Sequence, residues 1–191
     1  TQEIISMKLE TSIIIPLYNQ VEYTRKCIDS ILSDRDRPPI EIILVDNASS
    51  DGTREYLDQA QRDTKNLIDV SWVRIQNEKN LGVAPAWNQG LKVARTNELY
   101  VINNDILATN RWIQGTREGF KRHDLSLACP YAINGKLDYD LEPRAEKFTL
   151  RNSGAVWDDY SFCAFFMTRN TLNQIGYFDE KFLVGGYEDT D

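Results

Sequence analysis

Short apolar runs alternate with amphipathic stretches through the first half of the chain. The apolar runs, rich in Ile, Val and Leu, occupy 12–16, 40–45, 70–76 and 99–102. Apolar runs without strict polar alternation are typical of strands buried on both faces of a parallel sheet. The stretches that carry apolar residues at helical spacing occupy 21–33, 53–62, 81–94 and 110–121. Asp51 and Asn110 are placed to cap the helices that follow them.

This alternation predicts an α/β fold of three α/β/α layers on a mostly parallel, Rossmann-like sheet. The polar residues 1–10 predict a tail or linker, and 11–191 predict a single domain. Its regular half is 11–109, and its less regular half is 110–191. In the second half we predict an edge strand at 125–133, a turn-rich region at 134–150, a strand at 151–157 and a helix at 170–175.

Polar side chains follow each predicted strand at the point where the strand ends. The residues at that edge, most of them polar, are Pro16, Leu17, Tyr18 and Asn19 after the first strand, Asp46 and Asn47 after the second, Asn77, Lys79, Asn80 and Gly82 after the third, and Asn103, Asn104 and Asp105 after the fourth. Parallel sheets bind ligands at this carboxyl edge. The sequence therefore predicts a polar site there.

Each of these groups has a structural interpretation beside a functional one. Asp46 suits a hydrogen bond to a base or ribose, and equally a turn that bonds its own backbone. Residues 103–105 offer the hard oxygen ligands that Mg²⁺ or Mn²⁺ prefers, or form a polar turn. Capping alone explains Asp51.

Three carboxylates, Glu188, Asp189 and Asp191, lie close together after a glycine pair. They predict either the acidic first turn of a helix or a general base. The chain stops directly after them, so we expect a catalytic domain truncated at its carboxyl end. The apolar segment 162–167 and Tyr187 would then be under-covered and would favour self-association.

Composition excludes several classes of protein. The chain has 191 residues, with 22 Lys and Arg against 29 Asp and Glu, a net charge of −7 and a pI of about 4.8. Such acidity disfavours nucleic-acid binding. Three dispersed cysteines, Cys27, Cys129 and Cys163, indicate neither a zinc site nor a disulfide framework, but a reducing compartment. With one histidine, His123, a histidine-rich metal site is excluded.

Six segments, taken together and in order, resemble the family 2 glycosyltransferases, which have the GT-A fold. The resemblance covers 11–191, and its segments are 12–19, 45–53, 80–82, 103–105, 176–180 and 188–189. It implies a nucleotide-diphospho-sugar donor and transfer to an acceptor hydroxyl with inversion. It also makes 11–109 the nucleotide-binding half and 110–191 the acceptor-side half.

The resemblance implies a role for individual residues. Those expected to contact the nucleoside or the rest of the donor are Pro16, Tyr18, Asp46, Asn80, Gly82, Asn88 and Asn104. Asp105 matches the last acidic position of the metal-binding motif, and Asn103 stands where that motif has its first Asp. The implied cofactor is Mg²⁺ or Mn²⁺. Asp189 matches the catalytic base, with Glu188 as its neighbour, and 178–180 match a structural turn.

The expected function is therefore an inverting glycosyltransferase of cell-surface polysaccharide or glycan synthesis. Its expected partners are the nucleotide-sugar donor and a saccharide or lipid-linked acceptor. The expected location is the cytoplasm, with the inner face of the membrane as a peripheral site. Two alternatives stay open: a nucleotidyltransferase-like enzyme, and a non-catalytic nucleotide-sugar-binding domain. A nucleotidyltransferase normally has a loop rich in glycine and basic residues after its first strand, and this sequence has no such loop there.

Overall fold

Six strands form one sheet in the computed structural model, which describes residues 7–130, 140–152, 155 and 163–181. The strands are β1 (Thr11–Leu17), β2 (Ile40–Asp46), β3 (Val70–Gln76), β4 (Glu98–Ile102), β5 (Leu127–Ala128) and β6 (Ala164–Thr168). Their order across the sheet is β3-β2-β1-β4-β6-β5. The first four are parallel, and β6 runs antiparallel to both β4 and β5.

Helices cover both faces of this sheet, so the predicted three-layer α/β fold is confirmed. The helices are α1 (Val21–Ser33), α2 (Thr53–Asp63), α3 (Val83–Val93), α4 (Trp112–Arg122), α5 (Leu141–Asn152) and α6 (Arg169–Ile175). Successive strand residues point to opposite faces. Ile13 and Ile15 therefore pack in one core with α1, α2 and α4, while Ile14 packs in the other with α3 and α6.

Three expectations for the second half are wrong. Residues 141–152 form α5 where we expected turns and the start of a strand, and α5 buries no side chain. The residue before α4 is Arg111, whose backbone N–H donates to Asp34 at 2.9 Å, so Asn110 does not cap that helix. Residues 164–167 are buried between β4 and β5, which removes most of the apolar patch proposed for self-association.

A buried polar network ties strands together at the amino edge of the sheet. Glu41 is fully buried and accepts hydrogen bonds from Ser12 Oγ at 2.7 Å and from the Arg95 backbone at 3.0 Å. The Ser12 and Thr96 hydroxyl oxygens lie 2.9 Å apart. This edge lies opposite the strand ends at which the predicted site collects.

None of the helices in the described part of the chain is long and apolar enough to cross a membrane.

Candidate functional site

The carboxyl ends of β2, β1 and β4 lie side by side at one edge of the sheet. Leu17, the last residue of β1, is in register with Asp46, the last residue of β2. Residues 103–105 directly follow β4 on the other side of β1. Neighbouring strands are about 4.8 Å apart, so the β2 and β4 ends are separated by roughly 10 Å. The predicted grouping of Asp46 with residues 103–105 on one edge is confirmed.

Asp46 presents a buried carboxylate at this edge. Its side chain is 3% exposed, Oδ1 accepts a hydrogen bond from the Ser49 backbone at 2.8 Å, and Oδ2 accepts one from Arg54 Nε at 3.0 Å. The turn interpretation of Asp46 is therefore correct as far as it goes. A carboxylate offers about four acceptor positions, and these two hydrogen bonds use two of them. Because both oxygens are held in place, the group is preorganised as an acceptor.

Arg54 is a member of the site that sequence reasoning missed. It lies in the first turn of α2, with its side chain partly exposed at 39%. With the Gln76 amide oxygen turned toward it, the guanidinium also donates to Gln76 at 2.8 Å. A basic residue just after the Asp51-Gly52 turn was the available signal, since a helix that starts at the carboxyl edge directs its first turn there.

The turns that follow β1 and β2 are bonded to each other. Asn19 Oδ1 accepts from the Ser50 backbone at 2.8 Å, and the Asn19 backbone donates to Ser49 Oγ at 2.8 Å. The Val21 backbone N–H, at the start of α1, donates to Asp51 Oδ2 at 2.9 Å. A phosphate-binding loop would leave such helix-terminal N–H groups for the ligand. This occupied terminus therefore disfavours the nucleotidyltransferase alternative.

Asp51 serves two helices at once and needs no ligand to explain it. Besides Val21 at the start of α1, it accepts hydrogen bonds from Thr53 Oγ1 at 2.6 Å and from the Thr53 backbone at 3.3 Å. Burial by itself would raise the pKa of this carboxyl, but these hydrogen bonds outweigh it and lower the pKa below its ordinary value. The predicted structural role of Asp51 is confirmed.

This lowered pKa makes the contribution of Asp51 to stability depend on pH. A depressed folded-state pKa stabilises the fold above the unfolded pKa of about 3.9, and the effect is lost as pH falls through the folded value. We expect wild type to be more stable than Asp51→Asn at pH 7, with the difference shrinking below about pH 4. Urea unfolding of both proteins from pH 7 to pH 3 measures it. A difference that stays constant over this range would contradict the prediction.

Two hydrogen bonds hold Gly82, the residue before α3, at the same edge of the sheet. Gly82 has φ +91°, a conformation that favours glycine. Its N–H donates to Asn80 Oδ1 at 2.9 Å, and its carbonyl accepts from Asn47 Nδ2 at 3.0 Å. Asn47 in turn accepts from Asn77 at 2.8 Å, and the amides of Asn77 and Gln89 bond to each other. Asn80 and Gly82 thus reach the predicted edge, and this amide chain orients the start of α3.

The remaining predicted nucleoside residues, Pro16 and Tyr18, lie at the end of β1. The Tyr18 residue is 51% exposed, and Pro16 is partly buried. An exposed aromatic ring beside a fixed carboxylate suits stacking on a base, because stacking needs an open ring face.

The loop after β4 offers oxygen ligands and is held by its neighbours. The Asn103 backbone N–H donates to the Cys163 carbonyl at 2.8 Å, and Asn104 Nδ2 donates to Thr24 Oγ1 at 3.0 Å. Asp105 is exposed. The donor set of one carboxylate and amide oxygens fits Mg²⁺ or Mn²⁺, which binds proteins through one or two carboxylates and completes its shell with phosphates. Within the described residues, no three His, Cys, Asp or Glu side chains gather into a ready-made metal cage.

Cys27 packs against the loop of residues 103–105, and its thiol is unreactive. It is buried in α1, and its Sγ lies 3.7 Å from the Asn103 carbonyl. Burial, with the nearby Asp105 carboxylate, raises the pKa of Cys27 to about 12. The thiol therefore stays protonated at neutral pH and is not a nucleophile.

One predicted donor residue is placed differently, and one group lies outside the described residues. Asn88 is 1% exposed, and its amide bonds to the Phe178 backbone and to Glu180 Oε1. The amide of Asn88 is therefore engaged within the chain, and its predicted contact with the donor stays a prediction. The expected base Asp189, with Glu188 and Asp191, lies outside the described residues.

Relatives of this chain are glycosyltransferases. It is 31% identical to the uncharacterized glycosyltransferase EpsJ of Bacillus subtilis over 117 residues, which are 61% of this chain and 32% of EpsJ. It is 29% identical to the putative teichuronic acid biosynthesis glycosyltransferase TuaG of the same species over 124 residues, 65% of this chain and 45% of TuaG. The chain thus spans less than half the length of these relatives.

A solved structure shares the fold. The mannosyltransferase PcManGT from Pyrobaculum calidifontis, in complex with GDP-Man and Mn²⁺, superimposes with a TM-score of 0.67 at 19% identity, over 92% of this chain and 49% of that one. The model of Glycosyl transferase family 2 matches residues 12–184, most of the chain. The resemblance drawn from six short segments is therefore confirmed, and the chain belongs to glycosyl transferase family 2.

Proposed function

We propose that this protein is an inverting glycosyltransferase of cell-surface polysaccharide or glycan synthesis. It would transfer a sugar from a nucleotide-diphospho-sugar donor to a hydroxyl of a saccharide or lipid-linked acceptor. The observation that carries the proposal is the meeting of a fixed, buried carboxylate at the end of β2 with the oxygen-rich loop after β4, on one edge of a family 2 fold. TuaG, named for teichuronic acid synthesis, supports the class of product.

The nucleoside would bind over β1 and β2. Asp46, held by Ser49 and Arg54, accepts hydrogen bonds from the base or ribose without first losing conformational freedom. Tyr18 offers an exposed ring on one side of that position. The amide chain that fixes Gly82 orients the backbone on the other side.

The diphosphate would lie toward β4. Asp105, with Asn103 as a second ligand, would hold Mg²⁺ or Mn²⁺ there, and Asn104 keeps the loop on α1 through Thr24. A bound divalent cation offsets the negative charge that develops on a diphosphate leaving group. The crystallised complex of PcManGT with GDP-Man and Mn²⁺ supports this choice of cofactor.

The transfer itself needs one base and no protein nucleophile. The acceptor oxygen bonds to the anomeric carbon from the face opposite the diphosphate, whose bond to that carbon breaks as the diphosphate leaves. Asp189 would take the acceptor's proton. The three dispersed cysteines of the sequence indicate a reducing compartment, and catalysis in the cytoplasm, at or near the inner face of the membrane, would accord with that.

Nucleotide affinity with and without metal tests this assignment. We expect UDP or GDP to bind more tightly with Mn²⁺ than without it in wild type. Asp46→Ala should weaken binding roughly 10–100-fold, because it removes hydrogen bonds to a charged acceptor. Asp105→Ala should remove most of the metal dependence. Isothermal titration calorimetry measures all of these affinities.

An exposed carboxylate on α1, Asp29, supplies the matched control. Asp29→Ala removes the same charge as Asp105→Ala from a surface away from the strand ends, and should leave the metal dependence as in wild type. Metal-independent binding in both wild type and Asp105→Ala would show that the metal role is wrong. Nucleotide binding with no release of nucleoside diphosphate from the donor in any condition would favour the non-catalytic alternative.

A further inference from the structure

Asn88 joins α3 to the chain segment 176–181 through a reciprocal pair of hydrogen bonds. Its Nδ2 donates to the Phe178 carbonyl at 2.9 Å, and the Phe178 N–H donates to its Oδ1 at 3.0 Å. Nδ2 also donates to Glu180 Oε1 at 2.9 Å. Both amide hydrogens and one acceptor position are thus engaged, which fixes the amide orientation. The Asn88 amide thus bonds both the N–H and the carbonyl of Phe178, as the backbone of a neighbouring strand would.

Aromatic packing holds the same segment on the core. The Phe178 ring centroid lies 4.9 Å from that of Trp87 and 5.6 Å from that of Phe165. Both of those side chains are buried. Packing of this kind stabilises the segment beyond what burial alone contributes. We call these contacts the anchor: the Phe178 ring packs on Trp87 and Phe165, and the Phe178 backbone bonds to the Asn88 amide.

Between the end of β6 and residue 178, the chain passes from the amino edge of the sheet toward its carboxyl edge. β6 ends at Thr168 beside Glu98, the start of β4, so α6 lies at the amino edge of the sheet. Phe178 then contacts Asn88, about 7.5 Å along the helix from Val83 at the carboxyl edge. Nine more residues of sequence lead from Glu180 to Asp189. An extended chain of that length spans up to about 32 Å.

We infer that Asn88 is a positioning residue that contacts no donor and instead fixes, through Phe178 and Glu180, the point from which the chain continues to its catalytic carboxylates. The inference rests on the proposed function. α3 then connects the donor-binding edge with the segment that leads to the base. Its start is held at that edge because Asn47 and Asn80 bond to Gly82. Misplacement of a reacting group by about 1 Å can cost 10²-fold in rate.

The experiment compares Asn88→Ala with Ser12→Ala. Ser12 is also buried with two polar partners, but it lies at the opposite edge of the sheet, so it controls for lost stability. Four quantities are measured for each: the unfolding midpoint, the Kd for UDP and GDP with Mn²⁺, the release of nucleoside diphosphate from saturating UDP-N-acetylglucosamine or GDP-mannose, and amide hydrogen exchange of peptides covering 176–191.

For Asn88→Ala we expect Kd within about twofold of wild type, faster exchange across 176–191, and turnover lowered about tenfold or more. Ser12→Ala should lose comparable stability but keep turnover within about twofold. A Kd that rises as far as turnover falls would establish a donor contact and overturn the inference. Turnover unchanged despite the lost stability would overturn it as well, leaving Asn88 purely structural.

The exchange measurement separates this inference from the proposed function. If wild type neither binds UDP or GDP nor releases nucleoside diphosphate, the proposed function fails, and the positioning role fails with it. If wild type is active and exchange across 176–191 is the same in wild type and Asn88→Ala, the anchor itself is refuted while the proposed function stands.

Discussion

Asp189→Asn should lose sugar transfer by a factor of about 10²–10⁴ while its affinity for the donor changes little. The substitution keeps the size of the side chain but removes its ability to accept the acceptor's proton. A base acts on the acceptor hydroxyl, on the face opposite the diphosphate, so the nucleotide contacts should be unaffected. The measurement is kcat and donor Kd, with wild type beside it.

Glu188→Gln is the matched control for that variant. Adjacent residues on a helix differ by about 100° around its axis, so Glu188 and Asp189 cannot both face one pocket if a helix begins there. We therefore expect Glu188→Gln to cost less than Asp189→Asn. If Asp189→Asn keeps near-normal transfer and Glu188→Gln abolishes it, the base is Glu188.

The parallel half of the fold was predictable because most strand residues there are buried. Every residue of β2 is buried, and five of its seven residues are Ile, Leu or Val, a run typical of a strand covered on both faces. The second half lacks that constraint. Residues 141–152 form a charged helix with no buried side chain, so no periodic apolar face marks it. The apolar residues 164–167 indicated burial, but an apolar run carries no information on strand direction.

The sequence predicted where the residues of the candidate site lie better than it predicted which groups they bond to. Asp46 and Asp105 lie at the carboxyl ends of strands, and topology alone brings these ends together. Arg54 was missed because it meets Asp46 only once α2 has folded back over the strand end. The hydrogen-bond partners of Asn88 could not be predicted for a related reason. Its sequence position places it on α3, but only the packed structure shows that Phe178, ninety residues later, occupies its amide.

Gly90→Ala should destabilise the protein by about 1–3 kcal/mol, because α3 packs on β1 through this glycine. A methyl group there would lie 2.3 Å from Ile14 Cγ2, a fully buried atom of the central strand. Ile14 is β-branched and has few alternative rotamers, so α3 itself would have to move. The steric cost outweighs the gain of up to about 1 kcal/mol that Ala normally brings to a helix.

Gly115→Ala on α4 isolates that steric cost. A methyl group at Gly115 would meet no atom within 4 Å, so only the helix-propensity term remains, and we expect a gain of up to about 1 kcal/mol. Urea unfolding of both variants beside wild type measures the difference. Opposite signs are the expected result, and a gain in stability for Gly90→Ala would show that α3 stands farther from β1 than the structure places it.

Because α3 also carries Gly82 at the donor edge, a shift of the helix in Gly90→Ala should weaken nucleotide binding along with stability, whereas Gly115→Ala should leave binding unchanged.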